Sequence, residues 1–425
     1  MPVLKKYLSP EILQSTIFKN YIFLSIYQVV NFLVPIVIFP FIIKKIGIDN
    51  FGKVAFAYAF VNYFSVLTDY GFNLSATKNI STNRQNIDKV NEIYTSVLAS
   101  KLLFFIAALC IFLPLLCIPV FRNELWLNLL SFTIVFGQVL MPVWLFQGLE
   151  DMKYLAIFNT VAKVFFAILI VILVRHRQDY VLVNLLQGIG SIIAAIGCHL
   201  LLFKKFGIRL LKININAIKF EIKDGFMLFL SSLAVNIYVN SNVFILGMLS
   251  NPTAVGYYSV AEKVYFAIKQ FNNVFSQVIF PKVCVLAQQS LPLLNKFLVR
   301  VFIPFVCLLF IVCLVGFIFS GFIASYFLKQ PNAYVAMLIK VFCFVPIIVA
   351  FDVPAFQSLL ALNQKKKYGL VLIAGCIINI ILNLALAHSL SSLGTVLSVL
   401  FTELFITIGL TINFSRVAPN FKFKF

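Results

Sequence analysis

The chain has 425 residues, of which 62% are hydrophobic and only 11% are charged, and its mean hydropathy is +1.01. So few charged residues cannot cover the surface of a water-soluble globule, which excludes that class of protein. The net charge of +20 would suggest a nucleic-acid-binding protein in a soluble chain. Here the lysines and arginines fall mainly between long apolar segments, which is typical of membrane topology instead.

Long apolar segments follow one another along the whole sequence. A helix needs about 20 mainly apolar residues to cross the hydrocarbon core of a bilayer. The pattern predicts about twelve such helices, at 20–43, 54–74, 93–119, 125–147, 154–174, 180–203, 225–249, 255–280, 297–323, 333–360, 368–388 and 393–414. The expected fold class is therefore an all-α integral membrane protein. Basic residues cluster in every second loop, which predicts that both termini are cytoplasmic.

Polar residues on the first two spans recur at helical spacing. Span one carries Gln28 between Ser25 and Asn31, and span two carries Asn62 and Asp69 in a longer polar stripe. A polar stripe on a membrane helix is expected to face a cavity or another helix rather than lipid. Gln28 and Asn62 are therefore candidate substrate-binding residues, while Asp69 is a candidate ion-coupling residue or a brace at the end of its span.

Two lysines interrupt the apolar spans that follow. Lys101 lies in span three, and Lys163 lies in span five, one turn after Asn159. A charged side chain costs about 2.5–3.5 kcal/mol at the centre of a membrane helix, so each is a candidate functional group. Two interpretations stay open for both lysines: binding of an anionic substrate group, or extension of the ammonium group to the membrane interface.

The loop at 204–224 differs from the other connections because it is long and basic. Isoleucines and leucines recur in it at helical spacing between lysines, which predicts a helix on the cytoplasmic leaflet. A disordered basic linker is the alternative, since Asn214 and Asn216 are poor helix formers. The predicted division of the chain is an N-terminal six-helix bundle at 1–203, this interfacial loop at 204–224, and a C-terminal six-helix bundle at 225–425.

The second half concentrates its polar groups on span eight. The candidate substrate-binding residues of this half are Lys263, Lys269, Asn273 and Lys340, and the candidate ion-coupling residues are Glu262 and Asp352. Two competing interpretations stay open: an ion network between helices formed by Glu262, Lys263 and Lys269, and a structural pairing of Glu403 with a neighbouring lysine. The sequence has no Walker A loop, no CxxC pair and no histidines at ligand spacing, so we expect no ATP site, metal or other cofactor.

The two halves share two pairs of similar segments. FGKVAFA at 51–57 is similar to VGYYSVA at 255–261, and PVWLFQGLEDMKY at 142–154 is similar to PAFQSLLALNQKKKY at 354–368. The intervals are similar, and six predicted spans separate the members of each pair. The sequence therefore predicts a parallel internal repeat with a substrate cleft between the two halves.

The segments PVWLFQGLEDM at 142–152, DYGFNLSATK at 69–78 and VGYYSVAEK at 255–263 resemble polysaccharide repeat-unit (O-antigen) flippases. That family belongs to the multidrug, oligosaccharidyl-lipid and polysaccharide exporter superfamily. The resemblance implies a V-shaped pair of six-helix bundles around a central cavity in the bacterial inner membrane. It also implies alternating access that moves undecaprenyl-diphosphate-linked oligosaccharide from the cytoplasmic to the periplasmic leaflet, without enzymatic activity.

Alternative functions stay open on the sequence alone. One is a multidrug or lipid II exporter of the same superfamily, and another is a membrane glycan polymerase or glycosyltransferase. An enzyme would ordinarily need a sizeable loop outside the bilayer, which the sequence lacks. The coupling ion is expected to be H+ or Na+, and a glycan polymerase and a chain-length regulator are candidate protein partners.

Overall fold

The computed structural model describes residue 30 and residues 34–417, and every regular element in this part of the chain is a helix. Helix α1 covers residues 34–46. The later helices of the first half are α2 (Ile48–Asp69), α3 (Phe72–Thr82), α4 (Ile87–Leu115), α5 (Pro119–Arg122), α6 (Leu125–Ser131), α7 (Thr133–Leu140), α8 (Val143–Gly148), α9 (Met152–Leu173) and α10 (Leu182–Lys205). Those of the second half are α11 (Ile215–Leu249), α12 (Pro252–Gln289), α13 (Leu291–Ile318), α14 (Ser320–Leu328), α15 (Ala333–Phe342), α16 (Phe344–Ala361) and α17 (Lys365–Val417).

The all-α fold predicted from the sequence is confirmed. Seven helical segments of the described chain are long and apolar enough to cross a bilayer, and they coincide with predicted spans. The last of them, α17, contains two predicted spans, and its backbone is interrupted at Ser391 (φ 54°, ψ −129°) between them. The predicted spans 54–74 and 255–280 are also helical, in α2–α3 and α12, but these helices carry the polar stripes.

Asparagine side chains begin three of the helices. Asn86, Asn251 and Asn332 each accept a hydrogen bond from the backbone N–H three residues later, at 3.1, 2.8 and 2.9 Å. These bonds satisfy N–H groups that have no partner within the first helical turn. At α12 the cap is followed by Pro252, which needs no such partner. These caps therefore determine the residues at which α4, α12 and α15 begin.

The described residues form two compact units. Unit 1 contains the residues up to Ile46 and Ala57–Asn236, and unit 2 contains Gly47–Phe56 and the residues from Ile237 onwards. The core of unit 1 is built around Phe72, Trp144 and neighbouring apolar residues of α3, α4, α8 and α10. A core of unit 2 is built from α12, α13, α16 and α17.

A close contact between helix ends lies within unit 2. A Cβ atom added to Gly52 of α2 would lie 1.8 Å from the carbonyl oxygen of Pro252, and one added to Gly256 of α12 would lie 2.5 Å from the carbonyl oxygen of Ile48. The hydroxyl of Thr253 also donates a hydrogen bond to Asp49 Oδ1 at 2.8 Å. The two glycines are the corresponding residues of FGKVAFA and VGYYSVA, so these two similar segments pack directly against each other.

The segment at 204–224 differs from the predicted surface helix. Helix α10 ends before Gly207 (φ 64°), and residues 207–214 are not helical. The backbone N–H groups of Arg209 and Leu211 donate to Asn91 Oδ1 and Thr95 Oγ1 of α4, at 2.9 and 3.0 Å. Within this segment only residues 215–224 are helical, and they form the first turns of α11. Asn214 explains the boundary, because its side chain accepts from the N–H of Asn216 as a helix cap does.

A buried carboxylate lies at the start of α11, before the predicted span 225–249. Glu221 is 3% exposed and accepts hydrogen bonds from Asn79 Nδ2 of α3 at 3.4 and 3.2 Å. The pKa of Glu221 is raised to about 7, mainly by burial; the hydrogen bond from Asn79 lowers it, and the nearby Asp224 carboxylate contributes to the rise. Lys89 and Glu92 of α4 act on it in opposite directions. Glu221 therefore holds a proton in the folded protein at pH values where the unfolded chain has released it.

We expect the protein to lose stability as the pH rises from about 4.5 to about 7, because ionised Glu221 is disfavoured only in the folded state. Glu221→Gln should flatten this profile and stabilise the protein above pH 7, by on the order of 3 kcal/mol at most. Thermal unfolding of the detergent-purified protein between pH 5 and pH 8 measures both effects. The exposed Asp88→Asn serves as the control and should keep the wild-type profile. A Glu221→Gln profile as steep as that of the wild type would contradict the prediction.

Candidate functional site

Unit 1 contains a polar cavity of about 530 Å³. Its walls come from α2, α3, α4, α7, α8, α9, α10 and α11. The residues that line it are Asn62, Ser65, Val66, Thr68, Asp69, Asn73, Lys101, Gly137, Gln138, Met141, Val143, Asn159, Ser191, Ala194 and Asn236. Amide and hydroxyl side chains predominate. Because polar groups are costly inside a membrane protein, a cavity with such walls can hold a polar ligand that lipid would exclude.

One ion pair belongs to the wall of this cavity. Lys101 Nζ of α4 lies 3.2 Å from Asp69 Oδ1 at the end of α2. The lysine side chain is 3% exposed, whereas the aspartate side chain is 31% exposed. The structure thus brings together a predicted substrate-binding residue and a predicted ion-coupling residue. Lys101 is buried in this ion pair and does not extend its ammonium group to the protein surface, as the other interpretation of this lysine would require.

A break in the helix places the polar groups on either side of Asp69. The backbone leaves α2 at Tyr70 (φ 45°) and Gly71 (φ 75°), and α3 begins at Phe72. Asp69 is the last residue of α2 and Asn73 lies in the first turn of α3, so both reach the same cavity. Asn73 Oδ1 and the hydroxyl oxygen of Ser65 are buried without a hydrogen-bond partner among the described residues. Buried acceptors of this kind are rare in folded proteins and are expected where a ligand or water binds.

The segment PVWLFQGLE supports one side of this cavity. Trp144 is 1% exposed and packs near Tyr94, with ring centroids 6.1 Å apart. The hydroxyl of Thr77 in α3 donates to the Trp144 carbonyl oxygen at 3.2 Å. A Cβ atom on Gly148 would lie 2.6 Å from Ile80 Cβ, which shows how closely α8 approaches α3. A tryptophan near the end of a predicted span is usually an interface anchor, but the ring of Trp144 lies in the core of unit 1 instead.

Unit 2 contains a separate group of buried charges. Lys269 Nζ of α12 lies 3.1 Å from Glu403 Oε1 of α17, and the Tyr265 hydroxyl donates to the same oxygen at 3.4 Å. Asp352 of α16 is 8% exposed and lies within electrostatic range of both Lys269 and Glu403. Glu262 is also buried and accepts a hydrogen bond from the Tyr258 hydroxyl. The pairing of Glu403 with a lysine, which was the alternative interpretation of Glu403, is present.

The other predicted site residues have different surroundings. Lys163 and Lys263 are half-buried, and each has electrostatic or hydrogen-bonding partners. Lys340 is exposed, with its Nζ 5.3 Å from the centre of the Phe317 ring, and Asn273 is exposed and donates to Gln270. Gln28 lies outside the described residues.

Sequence reasoning missed several groups. Gln138, Ser191 and Asn236 line the cavity of unit 1. Gln138 is a single polar residue in an apolar stretch. Ser191 follows Gln187 at helical spacing and Asn236 lies between Ser232 and Asn240 at the same spacing, which are signals that could have indicated both residues. Sequence reasoning also missed an amide and hydroxyl network in unit 2. There Asn383 donates to Asn242 at 3.1 Å and accepts from Thr395 at 3.0 Å. Asn379 and Asn383 are four residues apart on one face of α17, which is the signal that could have indicated this network.

Comparison with known proteins gives consistent results. A sequence profile of the family described as "Polysaccharide biosynthesis protein" matches residues 17–284. The chain is 27% identical over 402 residues to an Escherichia coli (strain K12) protein named "Putative O-antigen transporter", and the match covers 92% of this chain and 94% of the relative.

Two solved structures share the fold. "Lipid II flippase MurJ, inward closed conformation" has a TM-score of 0.72 at 13% identity and covers 91% of this chain and 87% of its own. An inward-facing multidrug resistance MATE family transporter of the MOP superfamily has a TM-score of 0.69 at 11% identity, with coverages of 94% and 98%.

Proposed function

The chain belongs to the polysaccharide biosynthesis protein family, and we propose that it flips undecaprenyl-diphosphate-linked oligosaccharide from the cytoplasmic to the periplasmic leaflet. Family and fold are those of bacterial membrane transporters rather than of enzymes. The observation that carries the proposal is the polar cavity of unit 1, which is lined by amide and hydroxyl groups in a chain that is otherwise predominantly apolar. Such walls suit a hydroxyl-rich cargo better than an apolar drug.

The proposed mechanism is alternating access without a chemical step. The cargo enters between the two halves from the cytoplasmic side, a rearrangement closes that side, and the periplasmic side opens. The polar walls replace hydrogen bonds that the sugars make with water, which lowers the cost of moving them through the hydrocarbon layer. Both termini are proposed to be cytoplasmic, on the distribution of basic residues alone. A glycan polymerase and a chain-length regulator are proposed to receive the flipped units.

The surface glycan and the inner-membrane lipids of a deletion strain test the proposal. We expect the surface glycan to be lost and complete lipid-linked units to accumulate on the cytoplasmic side. A plasmid copy of the wild-type chain should reverse both changes. Normal surface glycan together with altered drug tolerance would favour the multidrug exporter instead, and accumulation of single units on the periplasmic side would favour a polymerase.

Ion coupling is proposed to involve the buried carboxylates Asp352 and Glu262 and the partly exposed carboxylate Asp69. Two carboxylates lie close to one lysine around Asp352, so a further H+ or Na+ would balance their charge. We expect Asp352→Asn to remove the dependence of flipping on the pH or Na+ gradient across proteoliposomes that contain lipid-linked units. The substitution Lys340→Met on the exposed side of α15 should leave that dependence intact. If flipping by wild type and by Asp352→Asn depended equally on the gradient, Asp352 would have no part in ion coupling.

A further inference from the structure

In the cavity of unit 1, the Asp69 carboxylate is more accessible to a ligand than the Lys101 ammonium group is. Asp69 has ten times the fractional side-chain exposure of Lys101, at 31% against 3%, and their 3.2 Å contact balances the two charges. Among the residues that the structure describes, no other lysine or arginine lines the cavity, and no other carboxylate does. An anion that entered would therefore meet Asp69 first, and it could reach Lys101 only by displacing an ion pair that is already formed.

Two buried polar atoms of the cavity have no hydrogen-bond partner among the described residues. The amide oxygen Asn73 Oδ1 can only accept a hydrogen bond, and the Ser65 hydroxyl can both donate and accept. The Asp69 carboxylate and Asn73 Oδ1 need donors from the ligand, whereas the Ser65 hydroxyl can take either role. A diphosphate offers acceptor oxygens and negative charge, whereas a sugar hydroxyl both donates and accepts. The side chains of Asn62, Gln138, Asn159 and Ser191 add further amide and hydroxyl groups to the same walls.

We propose, on the basis of the proposed function, that this cavity binds uncharged sugar residues of the oligosaccharide and excludes its diphosphate. Asp69, Asn73 and Ser65 accept hydrogen bonds from sugar hydroxyls. Lys101 is a positioning residue, which holds the Asp69 carboxylate in place and supplies its counter-charge. The volume of about 530 Å³ lies within the range of roughly 300–1,000 Å³ that is usual for small-molecule sites. The diphosphate then binds outside this cavity.

Binding to the detergent-purified full chain tests this site. The probes are the oligosaccharide released by mild acid from the strain's own lipid-linked units, and inorganic pyrophosphate. We expect wild type to bind the oligosaccharide by calorimetry, with no displacement by pyrophosphate. Ser65→Ala and Asn73→Leu should each weaken binding about tenfold, and Asp69→Asn should weaken it about 10- to 100-fold, because a bond to a charged acceptor is lost. Ser389→Ala, on an exposed part of α17, should bind as wild type does.

Lys101 is tested by substitution and rescue. Lys101→Met should weaken oligosaccharide binding, and Lys101→Arg, which keeps the counter-charge, should restore most of it. A thermal-unfolding midpoint within a few degrees of wild type shows that each variant is folded. If another variant is unstable, Ser65→Ala, which is the mildest substitution, still tests whether the cavity binds the oligosaccharide.

Three results would contradict the proposal that this cavity binds sugar residues. They are displacement of the oligosaccharide by pyrophosphate, equal binding by wild type and all the cavity variants, and no binding by wild type. If wild type nevertheless restores surface glycan in the deletion strain, only the sugar site fails. If wild type does not restore it, the proposed function fails.

Discussion

Replacing Gly52 with alanine is expected to destabilise the protein and to abolish restoration of surface glycan in a deletion strain. The added Cβ atom would lie 1.8 Å from the carbonyl oxygen of Pro252 and 2.8 Å from the backbone nitrogen of Gly256. Both neighbours are backbone atoms, so no side-chain rotation can relieve the overlap. Overpacking typically costs about 1–3 kcal/mol, and a clash with rigid backbone should fall at or above the upper end.

The same reasoning applies from the partner helix. Gly256→Ala would place a Cβ atom 2.5 Å from the carbonyl oxygen of Ile48, with side-chain atoms of Ile48 at 2.9 Å. Part of that strain can be relieved by the flexible side chain, so we expect a smaller loss than for Gly52→Ala. The two substitutions should not be additive, because either one separates the same two helix ends.

Gly369 provides the matched control. A Cβ atom at Gly369 of α17 would meet nothing within 4 Å, and alanine favours a helix by up to about 1 kcal/mol over glycine. Gly369→Ala should therefore keep or slightly raise the thermal-unfolding midpoint and restore surface glycan fully. If Gly52→Ala behaved as this control does, the close contact of α2 and α12 would not be required.

The membrane spans could be predicted from the sequence because their signal is local and strong. Length and apolar composition alone place a helix across the hydrocarbon core. Even the division within α17 was predicted, since the small and polar residues around Ser391 interrupt the apolar pattern. The segment 204–224 was harder to predict, because a single sequence does not show that Asn91 and Thr95 of α4 would bind its backbone.

The site could be predicted only in part, for a related physical reason. Asp69 and Lys101 each stand out as charges in apolar spans, but their pairing depends on how α2 packs against α4. The burial of Trp144 is not indicated by its position in the sequence, because an aromatic residue near the end of a span is usually an interface anchor. Its burial follows from the contact of α8 with α3, at Gly148 and Thr77, which lies about 70 residues away in sequence.

Removing Lys269 is expected to be the most damaging single change in the charge group of unit 2. Lys269→Met leaves the Glu403 and Asp352 carboxylates, which are 4% and 8% exposed, without the ammonium group between α12 and α17. Breaking a buried ion pair from one side costs about 3–5 kcal/mol, because the remaining charge stays desolvated. Thermal unfolding of the purified protein should show a correspondingly large fall in the midpoint.

A second substitution should recover much of this loss. In Lys269→Met/Glu403→Gln one carboxylate is gone, and the glutamine oxygen can still accept from the Tyr265 hydroxyl. Glu403→Gln alone should cost less than Lys269→Met, because Lys269 keeps Asp352 as a partner and its side chain is 23% exposed. Lys340→Met is the control, since that lysine is exposed and contacts the Phe317 ring, and it should cost no more than about 1 kcal/mol.

The relative stabilities and activities of these four variants distinguish two roles for the charged residues. If the group acts mainly as a brace between helices, the double variant regains both stability and the restoration of surface glycan. If Asp352 and Glu403 instead bind the coupling ion, the double variant regains stability but flips lipid-linked units without responding to the ion gradient. A Lys269→Met variant as stable as Lys340→Met would show that neither carboxylate depends on Lys269, and both interpretations of the group would then be wrong.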